Sequence, residues 1–260
     1  MSQHKKHNVK AKKHLGQHFL NDPAIADRTA QAVTGHEGYS QLIEIGPGTG
    51  ALTRFLIDRE FRLTLIELDE ESIDYLKQHF PKIRNQIYFG DFLQLNPDLI
   101  FKGEPFGICG NFPYNISSQI MFKVLEHREK IPEVVGMFQH EVAERICSPS
   151  GSKKYGILSV LMQAFYETEY LFKINEESFT PPPKVKSAVI RLKRKSDYSL
   201  ACDEKLFFKV VKTAFNHRRK TLRNTMKSLI NDKEVLKESL FDKRPEQLDV
   251  DDFVRVTNFV

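Results

Sequence analysis

Gln41-Leu-Ile-Glu-Ile45, Gly46-Pro-Gly48-Thr-Gly50 and Ala51-Leu-Thr-Arg-Phe-Leu-Ile57 follow one another without a break, and their reading decides the fold. The first is an apolar run of strand length, the second a glycine-rich turn and the third the start of a helix. Where glycines stand at a strand-to-helix turn, a ligand can approach the backbone closely. Working outward, Arg62-Leu-Thr-Leu-Ile-Glu67 reads as a second apolar strand. It ends in a carboxylate about twenty residues after the first glycine, where such a fold meets a ribose diol, so Glu67 is the candidate ribose contact. A third strand, Gln86-Ile-Tyr-Phe89, runs into Gly90-Asp91, and Asp91 can accept a hydrogen bond from the amino group of a cofactor's adenine. The alternation predicts a Rossmann-like, doubly wound α/β sheet.

The glycines alone leave two cofactors open, because Gly46-x-Gly48-x-x-Ala51 also satisfies the loose dinucleotide fingerprint. Three features favour S-adenosylmethionine over a nicotinamide. Asp91 reads an adenine, nothing downstream suggests a hydride site, and Asn111-Phe112-Pro113-Tyr114 ends the following strand. An Asn-x-Pro-Tyr turn suits an exocyclic amine. The N6 lone pair of adenine is delocalised into the ring and attacks poorly until acceptors on N6–H draw it out of that plane. Asn111 Oδ1 is one such acceptor, and a main-chain carbonyl held by the fixed φ of Pro113 is the second; Tyr114 would stack on the base. The same residues also suit a plain strand-to-helix turn, with Ser117 capping a helix from Gln119. Taken with the upstream turn, they predict an adenine N6 methyltransferase with Asn111, Pro113 and Tyr114 at its catalytic centre.

More motifs follow in order. They are Lys12-Lys-His-Leu-Gly-Gln-His-Phe-Leu-Asn-Asp22, Glu44-Ile-Gly-Pro-Gly48, Glu67-Leu-Asp69, Gln139-His-Glu-Val-Ala-Glu-Arg145, Tyr155-Gly-x-Leu-Ser-Val160, Phe179-x-Pro-x-Pro-Lys-Val185 and Asn216-His-Arg-Arg-Lys-Thr-Leu-Arg-Asn224. Nearly end to end, the chain resembles the small-subunit ribosomal RNA adenine dimethyltransferases, the kasugamycin-sensitivity family. That resemblance implies S-adenosylmethionine-dependent dimethylation of two adjacent adenosines near the 3′ end of 16S rRNA during ribosome biogenesis, by a cytoplasmic monomer working on a pre-ribosomal particle. It also implies a methyl donor bound against His18, Leu20, Gly46, Glu67, Asp91 and Asn111, with Gly48 in the same loop. His18 departs from the family's usual Asn. It can still make one hydrogen bond but changes shape and can titrate, so retained binding with a pH dependence is expected. Phe112 stands where Leu or Ile is commoner. Phe179 resembles the aromatic that sandwiches the target base opposite Tyr114, although it also reads as a core aromatic before a proline turn.

At 260 residues the chain can hold one α/β domain and a small appendage. No apolar run is long enough to span a bilayer, and the N-terminus is polar and basic with no secretory region, so a cytoplasmic protein is expected. Cys109, Cys147 and Cys202 are widely spaced and read as reduced thiols, with no disulfide expected. His140-Glu-Val-Ala-Glu144 imitates half of a zinc-protease helix but carries Glu where the second His must stand. His4, His7, His14 and His18 read as a solvated N-terminal arm, and no metal is expected.

The net charge is only +5, so its distribution matters more than its sum. Residues 1–21 hold no acid, and Lys5, Lys6, Lys10, Lys12 and Lys13 lie there. A second group is Lys184, Lys186, Arg191, Lys193, Arg194 and Lys195, and a third, acid-free from Lys205 to Asn231, contains Arg218, Arg219, Lys220, Arg223 and Lys227. Any one run can be a solvated face. Three runs beside an adenine-amine motif favour RNA, with Lys12, Lys13, Arg218, Arg219, Lys220 and Arg223 as phosphate contacts.

After the apolar strand around Ser187-Ala-Val-Ile-Arg-Leu192 the sequence turns polar at Lys193-Arg-Lys-Ser-Asp197, and the rest carries helical stripes. Leu206, Phe207, Val210, Val211, Ala214 and Phe215 form one, and Leu222, Met226, Leu229 and Ile230 another. A third helix is expected around Val235, Leu236 and Leu240, with Phe253, Val254 and Val256 near the end. The expected layout is a methyltransferase domain over 1–195, with 1–21 a basic flexible arm and entry motif, and a small all-α RNA-docking domain over 196–260. Two rivals remain: a large-subunit rRNA dimethyltransferase of the macrolide-resistance type, and a non-catalytic rRNA-binding assembly factor. The Asn216–Asn224 stretch argues against the first, and intact Glu67, Asp91 and Asn111 against the second.

Overall fold

The structure, a computed structural model, describes residues 9–260; His4, Lys5, Lys6 and His7 lie outside the described residues. Among the described residues the strands in chain order are β1 Phe19–Leu20, β2 Gln41–Ile45, β3 Arg62–Glu67, β4 Ile87–Phe89, β5 Phe106–Asn111, β6 Glu133–Gln139, β7 Tyr166–Ile174, β8 Phe179–Thr180 and β9 Ser187–Arg194. The helices are α1 Pro23–Gln31, α2 Thr53–Leu56, α3 Glu70–His79, α4 Pro97–Phe101, α5 Ser117–Glu126, α6 His140–Cys147, α7 Ile157–Phe165, α8 Glu204–Asn216, α9 Leu222–Thr225 and α10 Val250–Asn258.

Seven strands form one sheet in the order β4-β3-β2-β5-β6-β9-β7, and β1 pairs with β8 in a small antiparallel ribbon. Strands β4, β3, β2, β5 and β6 are parallel, and β9 runs antiparallel to β6. Every residue of β2 is buried, as expected of a parallel strand covered on both faces. Its polar members are partnered: Glu44 accepts from Thr53 Oγ1 at 2.7 Å in the core, and Gln41 donates to the exposed Glu104. The chain leaves β2 towards β3 and β4, then returns to β5 on the other side. Ligands bind at such a reversal, outside the carboxyl ends of the strands. Ile45, Glu67, Phe89 and Asn111 all end their strands along this edge.

The chain divides into two compact units: residues through Ala143 with Glu169–Lys193, and Glu144–Thr168 with Arg194–Val260. The helical unit therefore includes α7, which the sequence alone places upstream of a break near Lys195. The physical reason is composition. Helix α7 is apolar on nearly every face, with Leu158, Val160, Leu161, Met162, Ala164 and Phe165 all buried, and it packs against α8 and α10. Asp203 and Asp249 cap α8 and α10 by accepting from the Leu206 and Asp252 amides.

Two sequence expectations change. Residues 235–242 form two short 3-10 turns, Val235–Lys237 and Ser239–Asp242, separated by an extended Glu238; Leu236, Leu240 and Phe241 still reach the core. Ser117 is the first residue of α5 rather than its cap, and its hydroxyl donates to the Tyr114 carbonyl at 3.3 Å. Among the described residues no helix is long and apolar enough to cross a membrane.

Candidate active site

A cleft of about 930 Å³, counting its open mouth, lies along the carboxyl edge and draws its walls from β2, β3, β5 and the loop after β4. It brings together His18, Gly46, Gly48, Glu67, Asp91, Asn111, Pro113 and Tyr114. Leu20 lies beside it, in a small adjoining pocket shared with Gly46 and Asn111.

Gly46 and Gly48 adopt positive φ, 64° and 55°, which disfavours any side chain there. At Gly48 the close approach is made by the protein itself: a Cβ would sit 2.8 Å from the Phe19 ring. The loop is fastened to β3 by its ligand candidate. Glu67 Oε2 accepts from Gly48 N–H at 2.9 Å, while Oε1 accepts from Leu68 and Asp69 N–H at 2.8 and 3.0 Å. Burial raises the Glu67 pKa, and the three N–H donors oppose that rise. Oε2, with one of its lone pairs used, can still take a ribose hydroxyl. Asp91 Oδ1 accepts from Leu93 N–H at 2.9 Å, leaving Oδ2 to meet an amino group. Ile66, Leu68, Phe92 and Leu93 supply apolar wall, and Leu68 is exposed. Two acceptors among apolar walls fit a nucleoside that offers a diol and an amine.

Asn111 ends β5, and its side-chain amide donates to the His18 carbonyl at 2.8 Å. Its Nδ2 is thereby committed, so Oδ1 is the atom left to accept from an amine. Pro113 carbonyl accepts from Ile116 N–H at 3.1 Å, which makes the Phe112 carbonyl, just before the proline ring, the better second acceptor. Tyr114 stacks on the His18 ring with centroids 5.4 Å apart, and its hydroxyl bonds to Ser187 Oγ. His18 Nδ1 donates to the Pro181 carbonyl at 2.8 Å. Phe112 is fully buried in a slot cut by two paired glycines: a Cβ on Gly136 would lie 2.2 Å from its ring, and one on Gly110 2.8 Å. That slot admits a ring where Leu or Ile is commoner.

Phe179 is elsewhere. It pairs with Leu20 across β1 and β8 and is 2% exposed within the core, because the ribbon folds its side chain inward. It is not among the residues that line the cleft, and it packs as a core aromatic. The N-terminal segment, expected to be an arm, packs over the cleft from His14 to Phe19. Lys12 pairs with Asp69 and with Glu71, the latter at 3.5 Å. Gln17 donates to Asp69 at 3.3 Å. Burial pushes the Asp69 carboxyl up, but the bonds from Lys12, Ser72 and Gln17 together outweigh it and hold the pKa below its usual value. Asp69, named in the sequence only within the Glu67-Leu-Asp69 motif, thus tethers the N-terminal segment while it caps α3 through Glu71 N–H; its local signal is a capping Asp ahead of Glu70-Glu71. Ser187 gave no signal, lying at the head of an apolar strand.

The predicted RNA contacts separate into two kinds. Arg218 donates to the Ser152 and Lys153 carbonyls and lies 3.8 Å from Glu246. Arg223 bonds the Leu236 carbonyl at 2.9 Å and Asp242 at 2.7 Å. Lys13, Arg219 and Lys220 are exposed.

Residues 8–260 match the ribosomal RNA adenine dimethylase family. The chain belongs to this family. It is 56% identical over 249 residues to the ribosomal RNA small subunit methyltransferase A of Flavobacterium johnsoniae, covering 96% of this chain and 95% of that one. It is 55% identical over 254 residues to the same-named protein of Cytophaga hutchinsonii, covering 97% and 98%. Among solved structures, a dimethyladenosine transferase from Plasmodium falciparum superposes with a TM-score of 0.75 at 25% identity, covering 92% of this chain and 96% of that one. The ribosomal RNA adenine dimethylases are methyltransferases, and this member carries a Rossmann-like sheet.

Proposed function

We propose that this ribosomal RNA adenine dimethylase transfers two methyl groups from S-adenosylmethionine to each N6 of two adjacent adenosines near the 3′ end of small-subunit rRNA, acting as a monomer on a pre-ribosomal particle in the cytoplasm. The observation that carries the reading is the committed amide of Asn111. Its bond to the His18 carbonyl leaves Oδ1 as the acceptor for N6–H. The Phe112 carbonyl would take the second N6–H, and the two together would pull the amine out of conjugation. Tyr114 would support the unstacked base, whose extraction costs a few kcal/mol, against about 1–3 kcal/mol returned by aromatic stacking. Glu67 would bind the ribose diol and Asp91 the adenine amine of the cofactor, which supplies an electrophilic sulfonium methyl. No strong base is needed at N6, since the amine becomes acidic as the bond forms and can lose its proton to solvent. Catalysis is then mostly positioning.

The substrate assignment rests on the same-named small-subunit relatives at 55–56% identity. The likeness to the 23S rRNA methyltransferase ErmE, with a TM-score of 0.69 and 25% identity, supports the shared fold and keeps large-subunit RNA as the alternative to be tested. Single-turnover methylation by Asn111→Ala tests the catalytic reading: the chemical step should fall far more than RNA affinity, and full activity in that variant would refute it.

A further inference from the structure

Tyr114 is held at several points. Its backbone carbonyl receives the Ser117 hydroxyl, its ring stacks against His18, and its phenol oxygen bonds to Ser187 Oγ. Only the last fixes the far end of the ring. A tyrosine at a turn can swing about its first side-chain bond unless the para hydroxyl is tethered. Rotation about the second leaves that oxygen in place, so the tether sets where the ring lies while the His18 stack sets its tilt, and a platform for a flipped base works only with both set. Ser187 can supply that tether because it is the first residue of β9. It pairs with Gln139 across β6 and is fully buried, so its own position is set by the sheet. It does not line the cleft, and its reach into the site is entirely through Tyr114.

We propose that Ser187 is a positioning residue for the methyl-transfer step, holding the Tyr114 ring at the place that receives the target adenine. The inference rests on the reading of Tyr114 as the base platform. Either hydroxyl of the pair can be the donor, so removing either oxygen breaks the same bond.

The test is a double-mutant cycle of Tyr114→Phe and Ser187→Ala, read as single-turnover rate and apparent rRNA affinity, with S-adenosylhomocysteine affinity and thermal melting followed alongside. Each single change should lower kcat/KM roughly tenfold, as for loss of one buried hydrogen bond. Cofactor affinity should stay unchanged, and Ser187→Thr, which keeps the hydroxyl, should restore most of the rate. The double variant should be no slower than the worse single, because both remove one interaction. Defects that multiply, or wild-type kinetics in Ser187→Ala, would overturn the proposal. If Ser187→Ala fails to fold, Tyr114→Phe with wild-type kinetics overturns it equally. Tyr114→Ala separates the two readings: an inactive Tyr114→Ala beside a fully active Tyr114→Phe leaves the base platform standing and removes Ser187, whereas a fully active Tyr114→Ala removes the platform itself.

Discussion

Replacing Glu67 with Gln tests the cofactor side of the cleft without changing side-chain size. The carboxylate takes three main-chain N–H bonds, from Gly48 on Oε2 and from Leu68 and Asp69 on Oε1. A glutamine can keep the last two on its single amide oxygen. Its NH2 group must then face Gly48 N–H, donor against donor, across the 2.9 Å now bridged by Oε2. The ribose loses a charged acceptor, worth about 1.5–3 kcal/mol, or about ten- to a hundredfold in affinity. Folding should suffer much less. Burial raises the Glu67 pKa above its ordinary value, so removing the charge relieves a desolvation cost that offsets the lost Gly48 bond. Calorimetric titration with S-adenosylhomocysteine measures the first effect and melting of the free protein the second. Unchanged affinity in a folded Glu67→Gln protein would remove Glu67 from the ribose site.

Four more outcomes follow from the same structure. Arg219→Ala with Lys220→Ala should reduce the slope of log K against log salt for rRNA binding by about 0.7–0.9 for each phosphate that is no longer neutralised. Arg218→Ala and Arg223→Ala should act mainly on melting temperature, because both guanidiniums are bonded within the helical unit; an unaltered slope in the first pair would make it a solvated face. Lys12→Ala should leave the salt slope unchanged, since its ammonium already pairs with Asp69 and Glu71, and a lower slope would return Lys12 to the RNA. Burial pushes Glu44 up to about 8, with Thr53 opposing the rise and Glu67 adding to it. A pKa raised on folding means stability that is full below the unfolded value and lost as pH rises through the folded one. Melting temperature should therefore fall between about pH 5 and pH 8, and Glu44→Gln should flatten that fall; parallel curves would refute a neutral Glu44.

The fold was legible because β2, β3 and β4 are short apolar runs closed by glycine or a carboxylate. Strands β2 and β3 begin and end where the sequence places them, and the edge they define gathers Gly46, Glu67, Asp91, Asn111 and Tyr114 into one cleft. What stayed hidden depends on long-range packing. Phe179 sits before a proline turn whether it faces a base or the core, and its pairing with Leu20 is not written in the local sequence. Lys12 looks the same in sequence as Lys13, but one meets Asp69 and the other is exposed. Arg218 and Arg223 belong to a basic run whose carbonyl partners lie outside it, 65 residues away for Arg218 and 13 for Arg223. Helical pattern around residues 235–240 carried apolar spacing without enough length, and short segments of that kind settle as 3-10 turns.

The most direct measurement is mass spectrometry of rRNA nucleosides after the wild-type protein is incubated with S-adenosylmethionine and, separately, small subunits, large subunits and duplex DNA. The expected product is N6,N6-dimethyladenosine at two adjacent positions near the 3′ end of small-subunit rRNA, with little from the other two substrates. Dimethylation confined to large-subunit RNA, equal methylation of DNA, or no methylated adenosine in any substrate would contradict the proposed function.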